Sequence, residues 1–328
     1  MIIYPIDALY KLMQKFKKLF NTTPEKNGFL MIGDKDSGKT TYMNCAYGML
    51  KSTNIGGVSI VAKYETDDLL FSKVFSNVKS GIYPLPTEKR NQYEFNITYN
   101  GETIHEFSWT DYNGGILFQQ SNQDAVQFTK DIKNTSGLML FFDSQRLARH
   151  DMDEVMRRMI KIISQSLPSV ENEFFINIIL TKFDMLKKKE QKNLDLLTQD
   201  LRPLTNIIDG NDNIHLNIIP VCCKKDKIIN CDDSLMLMMI GPLKVYKKLQ
   251  KNRIMNLFAE MSRWEAEAGP FNSIIAYFKG EKSAAQKARE CKMRAEEMQS
   301  QLDGLVRKID SIQDDLQKRN YLDKIICS

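Results

Sequence analysis

The sequence lacks the residue groupings that mark a zinc site or a disulfide framework. None of its six cysteines stands in a Cys-x-x-Cys pair or has a histidine at ligand spacing; they are Cys45, Cys222, Cys223, Cys231, Cys291 and Cys327. Zinc sites need such spacings, so we expect no metal on these thiols. The histidines, His105, His150 and His215, are scattered without a nucleophile or metal constellation. Such a cysteine pattern is typical of reduced intracellular thiols.

Long apolar runs and concentrated charge are also absent. No uninterrupted apolar run approaches the roughly 18 residues that a membrane span requires. The opening segment is broken by Asp7 and by Lys11, Lys15, Lys17 and Lys18, so we expect no signal peptide. The net charge of +5 is spread along the chain, which argues against a nucleic-acid partner. Together these absences predict a cytoplasmic protein.

What the chain does have is a core-forming composition and an amphipathic start. With 328 residues, 42% hydrophobic and 27% charged, it is long enough for one large domain plus an appendage, or for two small domains. In residues 1–20, Leu9, Met13, Phe16 and Phe20 recur at spacings of three and four. A basic helix of this kind either lies on a membrane surface or packs on its own domain. We favour packing, and membrane contact through residues 1–20 stays an alternative.

The middle of the chain alternates apolar strands with helical patterns. Residues 93–109 read as two alternating strands joined by Asn100-Gly101, a strong hairpin signal. Further strands are predicted at 28–33, 138–143, 174–184 and 214–223, and helices around 40–51, 151–166, 188–201 and 242–264. One antiparallel hairpin within a βα series predicts an α/β fold with a mostly parallel sheet and helices on both faces, in three layers. The methionine-rich run 235–241 is interpreted as core rather than as a partner surface.

The texture changes after residue 279. A heptad seam, with apolar residues four and three apart, is formed by Ala284, Ala288, Cys291, Ala295, Met298, Leu302, Leu305, Ile309, Ile312 and Leu316. We predict a C-terminal coiled-coil helix that self-associates or pairs with a partner through 284–316; the alternative is a helix lying back on its own domain. The predicted organisation is therefore a segment at 1–27, a main domain at 28–265, and a linker with the coiled coil at 266–328.

The segment GDKDSGKT (33–40) fits the phosphate-loop pattern G-x-x-x-x-G-K-[ST]. It lies where that pattern has a mechanism, between a predicted strand and a predicted helix. Backbone N–H groups of the loop and the helix N-terminus bind the β-phosphate. Lys39 would reach the β- and γ-phosphates, and the Thr40 hydroxyl would ligate Mg²⁺. The predicted nucleotide-binding residues here are Gly33, Asp36, Ser37, Gly38, Lys39, Thr40 and Thr41.

The nucleotide base is indicated by TKFD (181–184), which closes the strand at 174–180. An aspartate at this position accepts two hydrogen bonds, from the N1–H and the exocyclic amine of guanine, which adenine cannot offer. Asp184 is therefore predicted to select guanine, with Lys182 along the base and Thr181 in the same loop. Taken alone, the segment also fits an ordinary turn after a strand.

A third segment, WTDYNGG (109–115), ends the second strand of the predicted hairpin. Asp111 and Gly114 have the spacing of a γ-phosphate sensor, with Asp111 acting on Mg²⁺ through water and the Gly114 N–H bonding the phosphate. The same residues also fit a simple turn. The order of the three segments along the chain favours the sensor.

With these motifs in order, residues 28–265 resemble the Ras-like GTPases of the TRAFAC class. GDKDSGKT looks like the first family motif, DYNG (111–114) like DxxG, TKFD like [NT]KxD, and CCK (222–224) like the weak SAK motif. The antiparallel hairpin also belongs to this class. The resemblance implies GTP, GDP and Mg²⁺ as ligands, with Cys222, Cys223 and Lys224 touching the guanine O6 side through the backbone.

The resemblance also implies a switch threonine. Thr87, in PLPT (84–87), is the candidate because it lies just before the hairpin; Thr66 is a weaker rival, farther from the strand. Thr87 would bind Mg²⁺ through its hydroxyl and the γ-phosphate through its N–H, so Lys39, Thr87 and Gly114 are the predicted catalytic residues. The long segment 52–86 departs from the compact Ras pattern and suggests an inserted helix.

Several positions depart from the family pattern. Gly115 stands where Ras-like enzymes keep the glutamine that orients the attacking water, and Gln119 or Gln120 is the candidate substitute. No arginine finger is assigned; Arg90 and Lys35 are nearby cations that are more simply surface charges. The run GKTTY with WTDYNGG is similar to bacterial double-GTPase and related TRAFAC-clade proteins, which are assigned to conflict systems.

The sequence thus predicts a GTP-binding switch that hydrolyses GTP to GDP slowly and regulates a partner protein. The resemblance to conflict-system proteins implies a role in bacterial defence. Two alternatives stay open: a pseudo-GTPase scaffold that organises partners through its coiled coil, and a dynamin-like membrane GTPase. Against the second, the helical region is short for the long stalk of such machines.

Overall fold

A seven-stranded sheet organises the part of the chain that the computed structural model describes, which is residues 28–321 except 54, 86–88, 113–127, 129, 168–172 and 212. The sequence predictions for residues 1–20, for Thr87 and for Gly114, Gly115, Gln119 and Gln120 lie outside these residues. Everything else on which the predicted site depends is described.

The sheet has the spatial order β2-β3-β4-β1-β5-β6-β7. Its strands are β1 (Gly28–Gly33), β2 (Val58–Ala62), β3 (Asn91–Tyr99), β4 (Glu102–Asp111), β5 (Gly137–Asp143), β6 (Phe174–Thr181) and β7 (Ile214–Pro220). Strand β1 pairs parallel with β4 and β5, and β6 and β7 continue the parallel series. Strands β2, β3 and β4 pair antiparallel. Asn100 and Gly101 turn the β3–β4 hairpin with φ of 50° and 86°, the left-handed backbone that an Asn-Gly turn supplies.

Helices cover both faces of the sheet. In chain order they are α1 (Lys39–Thr53), α2 (Glu65–Lys79), α3 (Ser144–Ala148), α4 (Asp153–Ser166), α5 (Lys188–Gln191), α6 (Leu194–Leu197), α7 (Arg202–Asp209), α8 (Cys231–Glu267), α9 (Pro270–Phe278) and α10 (Ala284–Lys318). One buried cluster joins the sheet to α1, α2, α8 and α10, and a second joins the opposite face to α3, α4, α6 and α7. A short hairpin of β8 (Cys222–Lys224) and β9 (Lys227–Ile229) stands beside the sheet. The predicted three-layer α/β fold is confirmed.

Segment 52–86 contains more structure than expected. Its inserted helix is α2, but it also contains the edge strand β2, which the sequence analysis did not predict. The five residues VSIVA give a pattern too short to separate from a loop, and only pairing with β3 makes them a strand. Helix α2 packs closely on α1: a Cβ on Gly48 of α1 would lie 2.3 Å from the Phe75 ring of α2.

Two helix predictions had the wrong bounds. The helix predicted at 188–201 is divided into α5, α6 and a 3₁₀ turn at Gln199–Leu201. The helix predicted at 242–264 starts eleven residues earlier, at Cys231, and Pro242 lies inside it. Proline normally ends a helix because it lacks an N–H, but here residues 235–243 are buried on every side of the helix. Tertiary packing therefore overrides the local stop signal, and the methionine-rich run is core, as interpreted.

The C-terminal helix α10 returns along α8 as an antiparallel pair, which we call the arm. Arg319 pairs with Asp233 near the start of α8, while Lys287 lies over the Trp264 ring near its end. Ala288, Ala295, Leu302, Leu305, Ile309, Ile312 and Leu316 of the predicted seam are buried. The long helix is confirmed, and the seam is covered within the chain, as the alternative interpretation held. Self-association or partner pairing through 284–316 stays a prediction and would need another face of α10 or a separated arm.

At the far end of the arm, α9 connects the two long helices. Tyr277 and Phe278 of α9 are 81% and 82% exposed. Among the described residues, no helix combines the length and the apolar character that crossing a membrane requires.

Candidate functional site

The phosphate loop runs from the end of β1 into α1. Its backbone turns through Asp36 and Gly38, with φ of 59° and 85°. The second conformation suits glycine, since side chains disfavour a positive φ. Residues 35–41, which include the start of α1, line a cavity, the arrangement that binds phosphate.

Lys39 lies inside this loop. Its Nζ donates to the carbonyl oxygens of Gly33 and Asp34, at 3.0 and 2.8 Å, and the side chain is buried. Burial lowers the pKa of Lys39, and the nearby carboxylates of Asp111, Asp34 and Asp36 oppose that shift. A desolvated ammonium at this position gains a strong counter-charge when a polyphosphate enters.

The two predicted metal residues lie side by side. The Thr40 hydroxyl donates to Asp111 Oδ2 at 3.3 Å, although the residues are far apart in sequence. A hydroxyl and a carboxylate are hard oxygen ligands that fit Mg²⁺, which usually completes its shell with water and substrate phosphates. Among the described residues no cluster of three or more His, Cys, Asp or Glu side chains forms a metal site by itself. A metal here would therefore depend on the phosphates for its remaining ligands.

The end of β6 ties the base-binding segment to the phosphate loop. The Thr181 hydroxyl lies 2.8 Å from the Ser37 carbonyl and 3.1 Å from the Phe142 carbonyl. Lys182 adopts a left-handed backbone and donates to Asp143 Oδ2 at 2.6 Å. Because parallel strands end at the same edge of a sheet, these contacts bring the two predicted motifs together.

Asp184 faces the β8–β9 hairpin. Its carboxylate lies near Cys222, and burial together with this carboxylate raises the pKa of the Cys222 thiol to about 12. The Cys222 Sγ donates to the Lys227 carbonyl at 3.0 Å, beneath the surface of the site. The following residues, Cys223 and Lys224, reach the cavity.

One cavity of about 480 Å³ joins these segments. Eleven predicted residues line it: Asp36, Ser37, Gly38, Lys39, Thr40, Thr41, Thr181, Lys182, Asp184, Cys223 and Lys224. Gly33, Asp111 and Cys222 are not among its lining residues and contact Lys39, Thr40 and Asp184, which are. Thr66, the rival to Thr87, lies in the first turn of α2, and the cavity is lined instead by residues after that helix, Tyr83, Pro84 and Leu85.

Sequence reasoning missed two supports of the site. Arg146 of α3 pairs with Asp34 of the phosphate loop and donates to the Asp151 carbonyl at 3.0 Å. Asp143, at the end of β5, accepts from Gln145 N at 2.9 Å while it holds Lys182. The apolar strand ending in Asp143 was visible in the sequence, but nothing there indicated its partner. Arg90, considered as a catalytic cation, is bonded to Asp131 at 2.9 Å and lies over the Tyr112 ring.

Comparison with known proteins gives no family assignment. No family model matches the chain, and none of the curated proteins matches it. Solved structures that overlap it include an ADP-ribosylation-factor-like GTP-binding protein, the small COPII coat GTPase SAR1 from Encephalitozoon cuniculi, in complex with GDP. That overlap has 12% identity, covers 73% of this chain and 86% of that one, and has a TM-score of 0.33.

Two further overlaps are similar in extent. The Arl6 BBS3 small GTPase from Trypanosoma brucei, with bound GppNp, has 13% identity and a TM-score of 0.37, over 66% of this chain and 98% of that one. The mammalian SRP receptor has 14% identity and a TM-score of 0.38, over 64% and 98%. At these TM-scores the overlaps carry no argument about activity. The fold assignment depends on the strand order and the site on its own geometry.

Proposed function

We propose that the chain binds guanine nucleotides with Mg²⁺ and hydrolyses GTP to GDP as a molecular switch. The observation that carries the proposal is the single cavity shared by the phosphate loop, the Thr181–Asp184 segment and the β8–β9 hairpin. A phosphate-binding loop alone fits many nucleotides. A carboxylate that lines the same cavity, that of Asp184, favours guanine.

The phosphate end would be bound by the loop N–H groups and by Lys39. On nucleotide binding, the Lys39 ammonium would exchange its carbonyl partners for phosphate oxygens, and the desolvated site would strengthen that attraction. Thr40 and Asp111 would hold Mg²⁺, which supplies charge neutralisation at the phosphates.

The base end would be read by Asp184 and by the hairpin. Asp184 accepts hydrogen bonds from the N1–H and exocyclic amine of guanine, and the backbone at Cys223 and Lys224 faces its O6. An adenine in this position would leave the carboxylate without donors, a costly arrangement in a partly buried site.

Hydrolysis is proposed to be slow in the isolated protein. Gly115 replaces the residue that orients water in Ras-like enzymes, and Arg90 is already held by Asp131. A partner, or a second copy of the chain, would then supply the water-orienting group or the catalytic cation. The proposal includes a cytoplasmic location and a role in a bacterial conflict system.

Nucleotide content and turnover test the proposal together. Nucleotide released from the purified chain is identified first, followed by titration with GDP, GTP and ATP in the presence of Mg²⁺. We expect GDP in the preparation, guanine selectivity in the titration, and slow single-turnover hydrolysis that rises with protein concentration. Bound GTP without hydrolysis would favour the scaffold alternative, and failure to bind any guanine nucleotide would overturn the proposal.

The dynamin-like alternative has its own test. Co-sedimentation with liposomes, comparing the wild-type chain with Leu9→Asp and Phe16→Asp, measures membrane contact through residues 1–20. We expect no sedimentation above background for any of the three proteins. Binding that both substitutions abolish would instead support that alternative.

A further inference from the structure

The C-terminal end of the arm contacts the loop that follows the base-binding hairpin. Asn230 lies between β9 and α8, and its buried Nδ2 donates to two carbonyl oxygens at 2.8 Å each, those of Pro220 and Tyr321. Pro220 ends β7 shortly before the hairpin. The Asn230 side chain therefore joins both ends of the hairpin to Tyr321, which lies shortly beyond the end of α10. The hairpin, residues 222–229, is thus enclosed between Pro220 and Asn230.

A second contact holds the same junction. Arg319 donates through Nη1 to Asp233 Oδ1 at 2.7 Å and through Nη2 to Asp315 Oδ2 at 2.5 Å. Asp233 lies in the first turn of α8 and its side chain is 2% exposed, whereas that of Asp315 is 65% exposed. A buried carboxylate is stabilised strongly by a charged, hydrogen-bonded partner. Of the two contacts of Arg319, the one with Asp233 therefore contributes more to holding the end of α10 against α8.

The hairpin is also joined to α8 on its inner side. Cys223, which lines the cavity, lies with its Sγ 3.4 Å from that of Cys231, the first residue of α8. A displacement of the start of α8 would therefore move a residue that lines the base end of the cavity.

We infer that Asn230 and Arg319 are positioning residues for guanine binding, through which the arm holds the base-binding hairpin in place. This inference rests on the proposed function. The coupling acts in both directions. Displacement of the C-terminal end of the arm weakens guanine binding, and a bound guanine nucleotide holds that end of the arm against the hairpin.

The test measures release of fluorescent GDP from the full chain carrying Asn230→Gly or Arg319→Ala. Glycine removes the amide of Asn230 while tolerating its φ of 62°. Arg319→Lys keeps the charge that faces Asp233. Arg307→Ala is the matched control, since Arg307 is exposed on α10, the helix that Arg319 follows. We expect release about tenfold faster for the first two variants, a coupling of ordinary size, with partial recovery in the lysine variant and no change in the control.

Base analogues separate positioning from a general loss of structure. IDP lacks the exocyclic amine but keeps the O6 that the hairpin faces. The Asn230 and Arg319 variants should therefore release GDP and IDP faster by the same factor, while the nucleotide-free chain keeps a single cooperative unfolding transition like that of the control. A variant that merely unfolds would lose phosphate binding as well.

Hydrogen exchange on the wild-type chain decides the matter if the variants do not fold. GDP should slow amide exchange in residues 313–321 and leave residues 270–278 at the far end of the arm unchanged. If the wild-type chain binds GDP but neither variant changes its release, or GDP changes no exchange in 313–321, the inference is overturned and the proposed function stands. If the wild-type chain binds neither nucleotide, both fail together.

Discussion

The cavity edge and the arm are held together by different kinds of contact. At the cavity, segments distant in sequence meet through single directional bonds, such as Thr181 to the Ser37 carbonyl and Thr40 to Asp111. In the arm, a regular apolar seam is covered along its length, as in the cluster of Ile254, Ala295 and Leu302. The contacts at the cavity fix the positions of its lining segments, and the contacts in the arm bury apolar surface.

This difference predicts how each region responds to substitution. Removing a polar group at the cavity should change ligand binding while leaving most apolar burial intact. Removing apolar volume from the middle of the arm, away from the Asn230 and Arg319 contacts at its end, should lower the free energy of unfolding while leaving the cavity unchanged. Four substitutions test whether the two regions separate in this way.

Lys39→Met should have the largest effect on function. Loss of the ammonium proposed to face the transferred phosphate should lower single-turnover GTP hydrolysis by about 10²–10³-fold, the usual cost of removing one electrostatic contact from a preorganised site. Thermal stability without nucleotide should be retained or rise, because burial already disfavours the charged amine. A large fall in melting temperature with unchanged hydrolysis would contradict the division between the regions.

Leu302→Ala should have the largest effect on stability. Truncating this buried leucine leaves a cavity between α8 and α10 and should lower the free energy of unfolding by about 2–4 kcal/mol. Met293→Ala, at a position 69% exposed on the same helix, is the control and should change little. Denaturant unfolding measures the difference, and GDP affinity measured in parallel should match that of the wild-type chain. A loss of affinity as large as the loss of stability would show that the arm and the cavity are one unit.

Asp184→Asn should exchange base preference. The amide of asparagine keeps only one of the two oxygens that would accept from guanine. The affinity for GDP should therefore fall by about 1.5–3 kcal/mol, the range for hydrogen bonds to a charged group. XDP carries a carbonyl in place of the exocyclic amine, so the new amide should donate to it and affinity for XDP should rise. Calorimetric titration of both nucleotides checks the exchange. Equal weakening for GDP and XDP would mean that Asp184 supports the loop rather than the base.

His105→Gln should have the smallest effect, visible only in acid. His105, on β4, faces Tyr246 of α8 with ring centroids 5.6 Å apart, and burial lowers its pKa to about 4 from an ordinary 6.5. Between pH 6.5 and 4, His105 is protonated in the unfolded chain and neutral in the folded chain. Stability is therefore complete above pH 6.5 and falls as the pH drops towards 4, by about 2 kcal/mol after a discount for partial exposure. The variant should show a shallower acid loss in parallel unfolding curves; superimposable curves would contradict the assignment.

Much of the cavity was predictable because its motifs are local and lie at strand ends. Residues 33–40 specify a loop by themselves, and Asp184 follows a strand whose end must share an edge with that loop. The pair between Arg146 and Asp34 was not predictable, because no spacing links residues that meet only through the fold. The same is true of Asn230 and Tyr321.

The arm shows a different limit. A heptad seam indicates that one stripe of a helix is buried, but its period is the same whether the covering helix belongs to the same chain or to another. The start of α8 was hidden by Pro242, because the packing that keeps the helix continuous there comes from distant residues. Strand β2 was missed since its five residues acquire their conformation from pairing with β3.

Gly48 lets α2 lie close against α1, and the chain after α2 lines the cavity. Helix α2 rests on α1 at a point where only a hydrogen atom fits beneath the Phe75 ring, and the chain leaves α2 to form the wall at Tyr83, Pro84 and Leu85. A methyl group at position 48 would have to displace the Phe75 ring or separate the two helices. The close packing of the helix that leads into this wall thus depends on the absence of one carbon atom from α1.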